Sequence, residues 1–274
     1  MAIGAKTKQQ PAISLAMSGS GFLAMIHAGA VCAAMDRGVT IAEVAGTSGG
    51  SILAAAVAAG LTQQEIRNMA LVSDMSNLLK WTPSALFAKR KAWCNGKALY
   101  AWLDQHFKGR QLQDSKIPVR LVSTSYLRGE SFVFTRSSTP MVSFALACRA
   151  SAAIPVIYAP VSYRGSMLVD GGILDNCPMD KLVLSNTIKI GVDVDSGGND
   201  YTASSVVKYA SGLLSMLLAS NEAAQILMAR EHGAHLVKVN TPNNFLNNHA
   251  TPQQRRQMFD QGYEGMQSKL KDVL

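Results

Sequence analysis

The sequence predicts one α/β domain of three layers, with a mainly parallel central sheet held between helices, and three observations lead there. Its 274 residues, 48% hydrophobic and 16% charged, suffice for a sizeable core and exclude a disordered chain. The N-terminal part alternates short apolar runs with helix-compatible runs in the order β-α-β-α, which implies parallel strands joined by crossovers. Further strand-like runs are widely separated, so the sheet must be assembled from distant segments.

Taken in order, residues 1–10 are polar and read as a flexible N-terminus ahead of a domain over 11–274. The apolar run 12–17 predicts a strand that ends in Ser18-Gly19-Ser20-Gly21, and residues 22–37 a helix, with Gly38 where a helix C-cap glycine belongs. A second strand is expected over 39–45, a turn over 46–50, and an alanine-rich helix over 51–59 closed by Gly60. Residues 62–113 mix amphipathic helical pieces with Trp81, Trp93 and Trp102 and are broken by Pro83 and Asn95-Gly96, so they read as a helical insertion or lid. Strands resume over 119–123, 131–134, 167–169 and 188–194. The long helical pattern over 204–230 carries Leu213, Leu214, Met216, Leu217 and Leu218. It is too interrupted by Gly212, Ser215, Ser220 and Asn221 to be read as a bilayer span.

The formal charge of +8 and pI near 9.4 favour anionic surroundings. The cations are scattered, with clusters only over 89–91 and at Arg255-Arg256, and no arginine-rich arm or zinc-finger spacing occurs, so nucleic acid is not the expected partner. Cys32, Cys94, Cys148 and Cys177 stand far apart in apolar company and read as buried free thiols. No secretory leader or anchor is read over 1–10.

Gly46-Thr47-Ser48-Gly49-Gly50 fits G-x-S-x-G, the elbow whose small flanking residues let a strand turn sharply into a helix and expose a serine oxygen. The pattern alone is weak, arising by chance in about one chain in ten of this length. Its place between an apolar strand and a helix makes Ser48 a candidate nucleophile. Such a serine needs preorganised amides for the oxyanion, and Gly19, Ser20 and Gly21, between the first strand and its helix, are placed to give them. Gly19-x-Gly21-x-x-Ala24 also matches a dinucleotide fingerprint, but the acid expected at the end of the second strand is replaced by Gly46-Thr47-Ser48. Asp170-Gly171-Gly172 follows the apolar Met167-Leu168-Val169 and reads by itself as a turn leaving a strand, one that gains weight beside the elbow. Asp193 and Asp195 alternate on a strand without the further ligands a metal site needs. His232 and His235, three apart on an expected helix, read as solvated or core residues.

Four blocks in this order resemble the patatin-like phospholipase family, over roughly residues 12–195. Ser18 to Gly21 with His27 and Gly29 resembles its glycine-rich oxyanion block, and Gly46 to Gly50 its nucleophile block. Arg149-Ala150-Ser151-Ala152-Ala153-Ile154-Pro155 resembles its A-S-x-x-x-P block, and Asp170-Gly171-Gly172 with Asn176-Cys177-Pro178 its D-G-G block and trailing N-x-P. The resemblance implies a Ser48–Asp170 dyad and an oxyanion hole at Gly19, Ser20 and Gly21, hydrolysing phospholipid or lysophospholipid esters through an acyl-enzyme with no metal or organic cofactor. It also implies a phospholipid surface as partner and a cytoplasmic or peripheral membrane location, leaving open an activating factor and export by a signal-independent route. The sequence departs from the family at Leu23, where an arginine is usual. A Ser-His-Asp esterase or acyltransferase using His232, His235 or His249 is the enzymatic alternative. A non-catalytic lipid or dinucleotide module is the other.

Overall fold

The computed structural model describes residues 11–80, 92–196 and 206–274. The expected flexible N-terminus, Trp81, Pro83 and the cations over 89–91 lie outside the described residues.

An eight-stranded sheet runs through the described residues. Its parallel half is built from β1 (Ala12–Met17), β2 (Thr40–Thr47), β9 (Ile188–Ser196), β10 (His235–Thr241) and β4 (Val119–Ser125), in the spatial order β10-β9-β1-β2-β4. Antiparallel β5 (Glu130–Thr135), β8 (Ser166–Asp170) and β7 (Val161–Tyr163) complete it. β1 and the last five residues of β2 are buried almost throughout, as strands covered on both faces must be.

Helices cover both faces. One carries the large core, where Ile13, Leu15 and Met17 of β1 meet α1 (Met25–Asp36), α2 (Gly49–Ala58), α3 (Gln63–Leu71), α4 (Lys97–Phe107), α5 (Phe144–Ser151) and the C-terminal α7 (Pro252–Val273). The other face is thin. Ala16 and Ala45 pack there with Cys177, Met179 and Leu182 beneath α6 (Val206–Glu231). Small residues on that face allow the 175–182 segment to lie close to the sheet, bringing Asp175 and Asn176 to the strand ends.

The expected α/β/α architecture is observed, with several local differences. The first helix is preceded by a separate 3-10 turn, Gly21–Leu23. The elbow is tighter than a five-residue turn, because β2 continues through Thr47 and α2 begins at Gly49. Residues 62–113 contain α3 and α4 but also a strand, β3 (Ala92–Cys94), which pairs with β6 (Val156–Tyr158) in a separate two-stranded sheet. His235 opens β10, so the expected helix there is corrected: Gly233, at φ 77°, ends α6 with a turn, and β10 then pairs with β9.

Candidate active site

Ser48 stands between β2 and α2 at φ 51° and ψ −121°, a conformation a non-glycine residue holds only where its surroundings enforce it. The enforcement is visible on each side. The Ser48 N–H donates to Ser151 Oγ at 2.9 Å, and that hydroxyl donates in turn to the Val122 carbonyl. The Ser48 carbonyl accepts from the Ser51 amide at 3.0 Å and the Ser51 hydroxyl at 2.6 Å. Gly50 lets α2 start against β1, since a Cβ there would stand 2.3 Å from the Met17 carbonyl oxygen. Ser151, inside the A-S-x-x-x-P block, therefore braces the elbow. Nothing in the pattern of that block assigns this serine the role by itself.

The topology of β4 brings Asp170 to Ser48. β5 occupies one edge of β4 from Arg120 to Ser125. On the other edge β2 pairs with Val119 to Val122, and β8, running the opposite way, takes over at Ser123 to Ser125. Thr47 lies opposite Val122 and Asp170 opposite Ser123, so the two strands end head to head on one edge.

Asp170 is buried, and its Oδ1 accepts the Gly172 N–H at 2.8 Å. Burial pushes its pKa up to about 6, against the lowering pull of the Gly172 amide and the Ser48 hydroxyl. That hydroxyl is close enough to act on the carboxylate, yet Oδ2 has no hydrogen-bond partner among the described residues. The two groups are therefore neighbours, the Asp170 carboxylate beside the Ser48 hydroxyl.

The loop of Gly19, Ser20 and Gly21 runs beside the elbow; an added Cβ on Gly19 would stand 3.6 Å from Ser48 Cβ. The Gly19 N–H is already donated to the Asn176 carbonyl at 3.0 Å. Among the described residues the N–H groups of Ser20 and Gly21 make no backbone–backbone hydrogen bond, and Gly21 lies against the start of α2, where an added Cβ on Gly49 would stand 3.0 Å from the Gly21 nitrogen. Leu23, at the family's arginine position, is buried in the large core, where a cation would be desolvated.

Ser48 lies at an apolar crevice whose space between atoms, the part open to solvent included, is about 630 Å³. Its walls include Met69 and Ala70 of α3, Leu99 and Trp102 of α4, and Ile154 and Tyr158. No histidine lines it. His27 is buried with Nε2 at 2.9 Å from the Ser18 carbonyl, and burial lowers its pKa to about 4. His232 follows α6 with Nδ1 near the Met228 carbonyl, His235 is exposed on β10, and His249 lies in the loop before α7.

Asp193 and Asp195 have separate surroundings. Asp193 is buried beside Glu222, whereas Asp195 is exposed and paired with Lys238 at 3.1 Å. All four cysteines are free and buried, as expected.

A family model described as Patatin-like phospholipase matches residues 15–183. An uncharacterized NTE family protein of Mycobacterium tuberculosis is 28% identical over 200 residues, covering 72% of this chain and 53% of the relative. Patatin-like phospholipase domain-containing protein 7 of Rattus norvegicus is 24% identical over 201 residues, covering 70% of this chain and 14% of the relative. The chain thus spans about half the length of the first of these relatives, and far less of the second. Among solved structures, VipD from Legionella pneumophila superposes with a TM-score of 0.57 at 18% identity, covering 96% of this chain and 67% of that one.

Proposed function

The chain belongs to the patatin-like phospholipase family, and we propose that it is a serine lipid acyl hydrolase in which Ser48 is the nucleophile and Asp170 its base. The observation that carries this reading is a strained, braced serine at the floor of an apolar crevice, with a buried carboxylate at its side.

The substrate's acyl chain occupies the crevice and presents its ester carbonyl to Ser48. Asp170 accepts the Ser48 proton as Oγ attacks, and the N–H groups of Ser20 and Gly21, joined by Gly49, stabilise the oxyanion. Gly19, bonded to Asn176, serves that hole by fixing the loop. The proton passes from Asp170 to the departing alcohol, leaving an acyl-enzyme. Asp170 then takes a proton from water, whose attack releases the fatty acid and restores the serine. Every charge that develops has a group of this chain to meet it, so the cycle requires no metal.

Phospholipid or lysophospholipid esters are the proposed substrates, met at a membrane surface. The net charge of +8 supports an anionic surface, and Tyr209, Leu213 and Met216, exposed along α6, supply apolar contact. The described parts of residues 62–113, which give Met69, Ala70, Met75, Leu78, Leu99 and Trp102 to the crevice wall, are its proposed lid.

The test is mass analysis of products released from mixed phospholipid vesicles by the wild type and Ser48→Ala. Fatty acid released by the wild type alone is expected; release by both, or by neither, rejects the reading. Covalent labelling of Ser48 by a fluorophosphonate separates it from a non-catalytic lipid module.

A further inference from the structure

The oxyanion loop is held by a closed ring of hydrogen bonds that reaches a helix far along the chain. On one side, Ser18 is fixed to β9: its N–H donates to the Val192 carbonyl at 3.0 Å, and its Oγ accepts the Val194 N–H at 3.1 Å. Asp193, between those two residues, hydrogen-bonds to Glu222 of α6. Glu222 Oε1 accepts from Asn176 Nδ2 at 2.9 Å, and the Asn176 carbonyl accepts the Gly19 N–H, which returns the ring to the residue after Ser18. One turn on from Glu222, Gln225 Oε1 accepts the Asn176 and Cys177 amides at 3.2 and 3.3 Å, and its Nε2 donates to the Leu174 carbonyl at 2.9 Å. Asn176 is thus gripped from α6 at backbone and side chain, with its Oδ1 against the face of Gly19, where a Cβ would come within 2.3 Å.

We propose that Glu222, which touches no substrate, is a positioning residue for the oxyanion loop: through Asn176 it holds Gly19 so that the N–H groups of Ser20 and Gly21 remain turned toward Ser48. This rests on the acyl-hydrolase reading above. A protonated Glu222 suits the place, because a carboxylic acid donates to Asp193 with its hydroxyl while accepting from Asn176 with the other oxygen. Burial, and then Asp193, lift the Glu222 pKa to about 9, so the ring keeps its proton at neutral pH. The other titratable groups acting on the pair are Asp195, which adds to the rise at Glu222, and Lys238 and Arg230, which favour charge on Asp193. Cys177 is also near and stays a thiol at neutral pH, because burial raises its pKa well above its ordinary value.

The test is steady-state hydrolysis of a soluble short-chain ester by Glu222→Ala, Glu222→Gln, Asn176→Ala and the Glu222→Ala/Asn176→Ala double variant, with folding checked by circular dichroism. Glu222→Ala is expected to lower kcat about tenfold or more with KM within twofold, since loop orientation matters in the transition state rather than in binding. Glu222→Gln keeps both hydrogen bonds and is expected to retain most of kcat. It should also keep it at alkaline pH, where the wild type declines as Glu222 loses its proton. The double variant should be no worse than the poorer single one, because both break one ring. A folded Glu222→Ala with wild-type kcat, or additive losses in the double variant, would overturn the proposal. If Glu222→Ala does not fold, Asn176→Ala and the alkaline limb of Glu222→Gln decide it. A wild type that neither turns over the ester nor takes the fluorophosphonate at Ser48 refutes the underlying function instead.

Discussion

Two unlike surroundings meet at Ser48, and burial acts differently in each. On the crevice side Met69, Met75, Leu78, Leu99 and Ile154 form an apolar wall, and burial of an apolar ligand against it would be favoured by the hydrophobic effect. On the sheet side Asp170, Asp175, Asp193 and Glu222 are withdrawn from water, and burial raises the pKa of each. Asp175 illustrates the tension: Lys181 Nζ lies 3.2 Å from its Oδ2, yet neither carboxylate oxygen has a hydrogen bond of good geometry. The apolar wall stabilises the fold and, in the proposed function, a bound acyl chain as well, whereas the acidic floor opposes stability and keeps the proposed base, Asp170, desolvated.

The largest blow to this comparison comes from removing the groups at the junction. Ser48→Ala and Asp170→Asn should each cut turnover of a soluble ester about a thousandfold or more while circular dichroism stays unchanged. Wild-type rates in either folded variant would end the dyad.

The acidic floor can be titrated. The proposed mechanism needs the Asp170 carboxylate, so kcat/KM should fall about tenfold per unit as pH drops below about 6. Stability follows the opposite sign. The folded pKa lies above the ordinary 3.8, so this group's contribution is fully present below about pH 4 and is lost as pH rises through about 6. Asp170→Asn should therefore unfold at higher denaturant than the wild type at pH 8, by about 2 to 3 kcal/mol at most, and lose that advantage near pH 4. An advantage that grows toward low pH would contradict the sign.

Ser151→Ala, which removes the brace between Ser48 and Val122, should lower stability by about 1 to 3 kcal/mol by leaving the Ser48 N–H without its acceptor. It should also slow acylation by about tenfold, read as the rate of fluorophosphonate labelling. On the apolar side, Met75→Trp should narrow the crevice and reduce turnover of long-chain esters about tenfold relative to short ones, leaving short-chain rates near wild type. Equal losses on both would place the acyl chain elsewhere. The smallest effect is expected at His232, His235 and His249: alanine at each should leave turnover within about twofold, and EDTA should do the same. A folded histidine variant with a thousandfold loss would replace the dyad with a triad.

The elbow and the Asp170 turn were legible because each is a local event, a strand ending at a small-residue turn, and local patterns survive in sequence. The roles of Ser151, Asn176 and Glu222 were not. Their partners are Val122, Gly19 and Asp193, and no spacing rule links residues joined only when distant segments pack. The short strands β3, β6 and β7 offered three residues each, too few for a period to register. β10 was missed because its exposed positions carry His235, Lys238 and Asn240, a half-polar pattern easily taken for a helix end. Helix α7 was missed despite an available signal: Thr251 caps it, Pro252 is its first residue, and Gln254 completes a capping box.

The head-to-head meeting of β2 and β8 on one edge of β4 also governs when the site can exist during folding. Neither strand can place Ser48 or Asp170 until β4 has been found by partners far away in the chain, and such nonlocal pairings form late because the connecting loops must first be closed. Individual helices can form beforehand from hydrogen bonds within each of them, although the packing of α1 on α7 is itself a distant contact. On refolding from denaturant, helical signal should therefore return ahead of ester hydrolysis, so that catalytic competence reports the completion of the sheet.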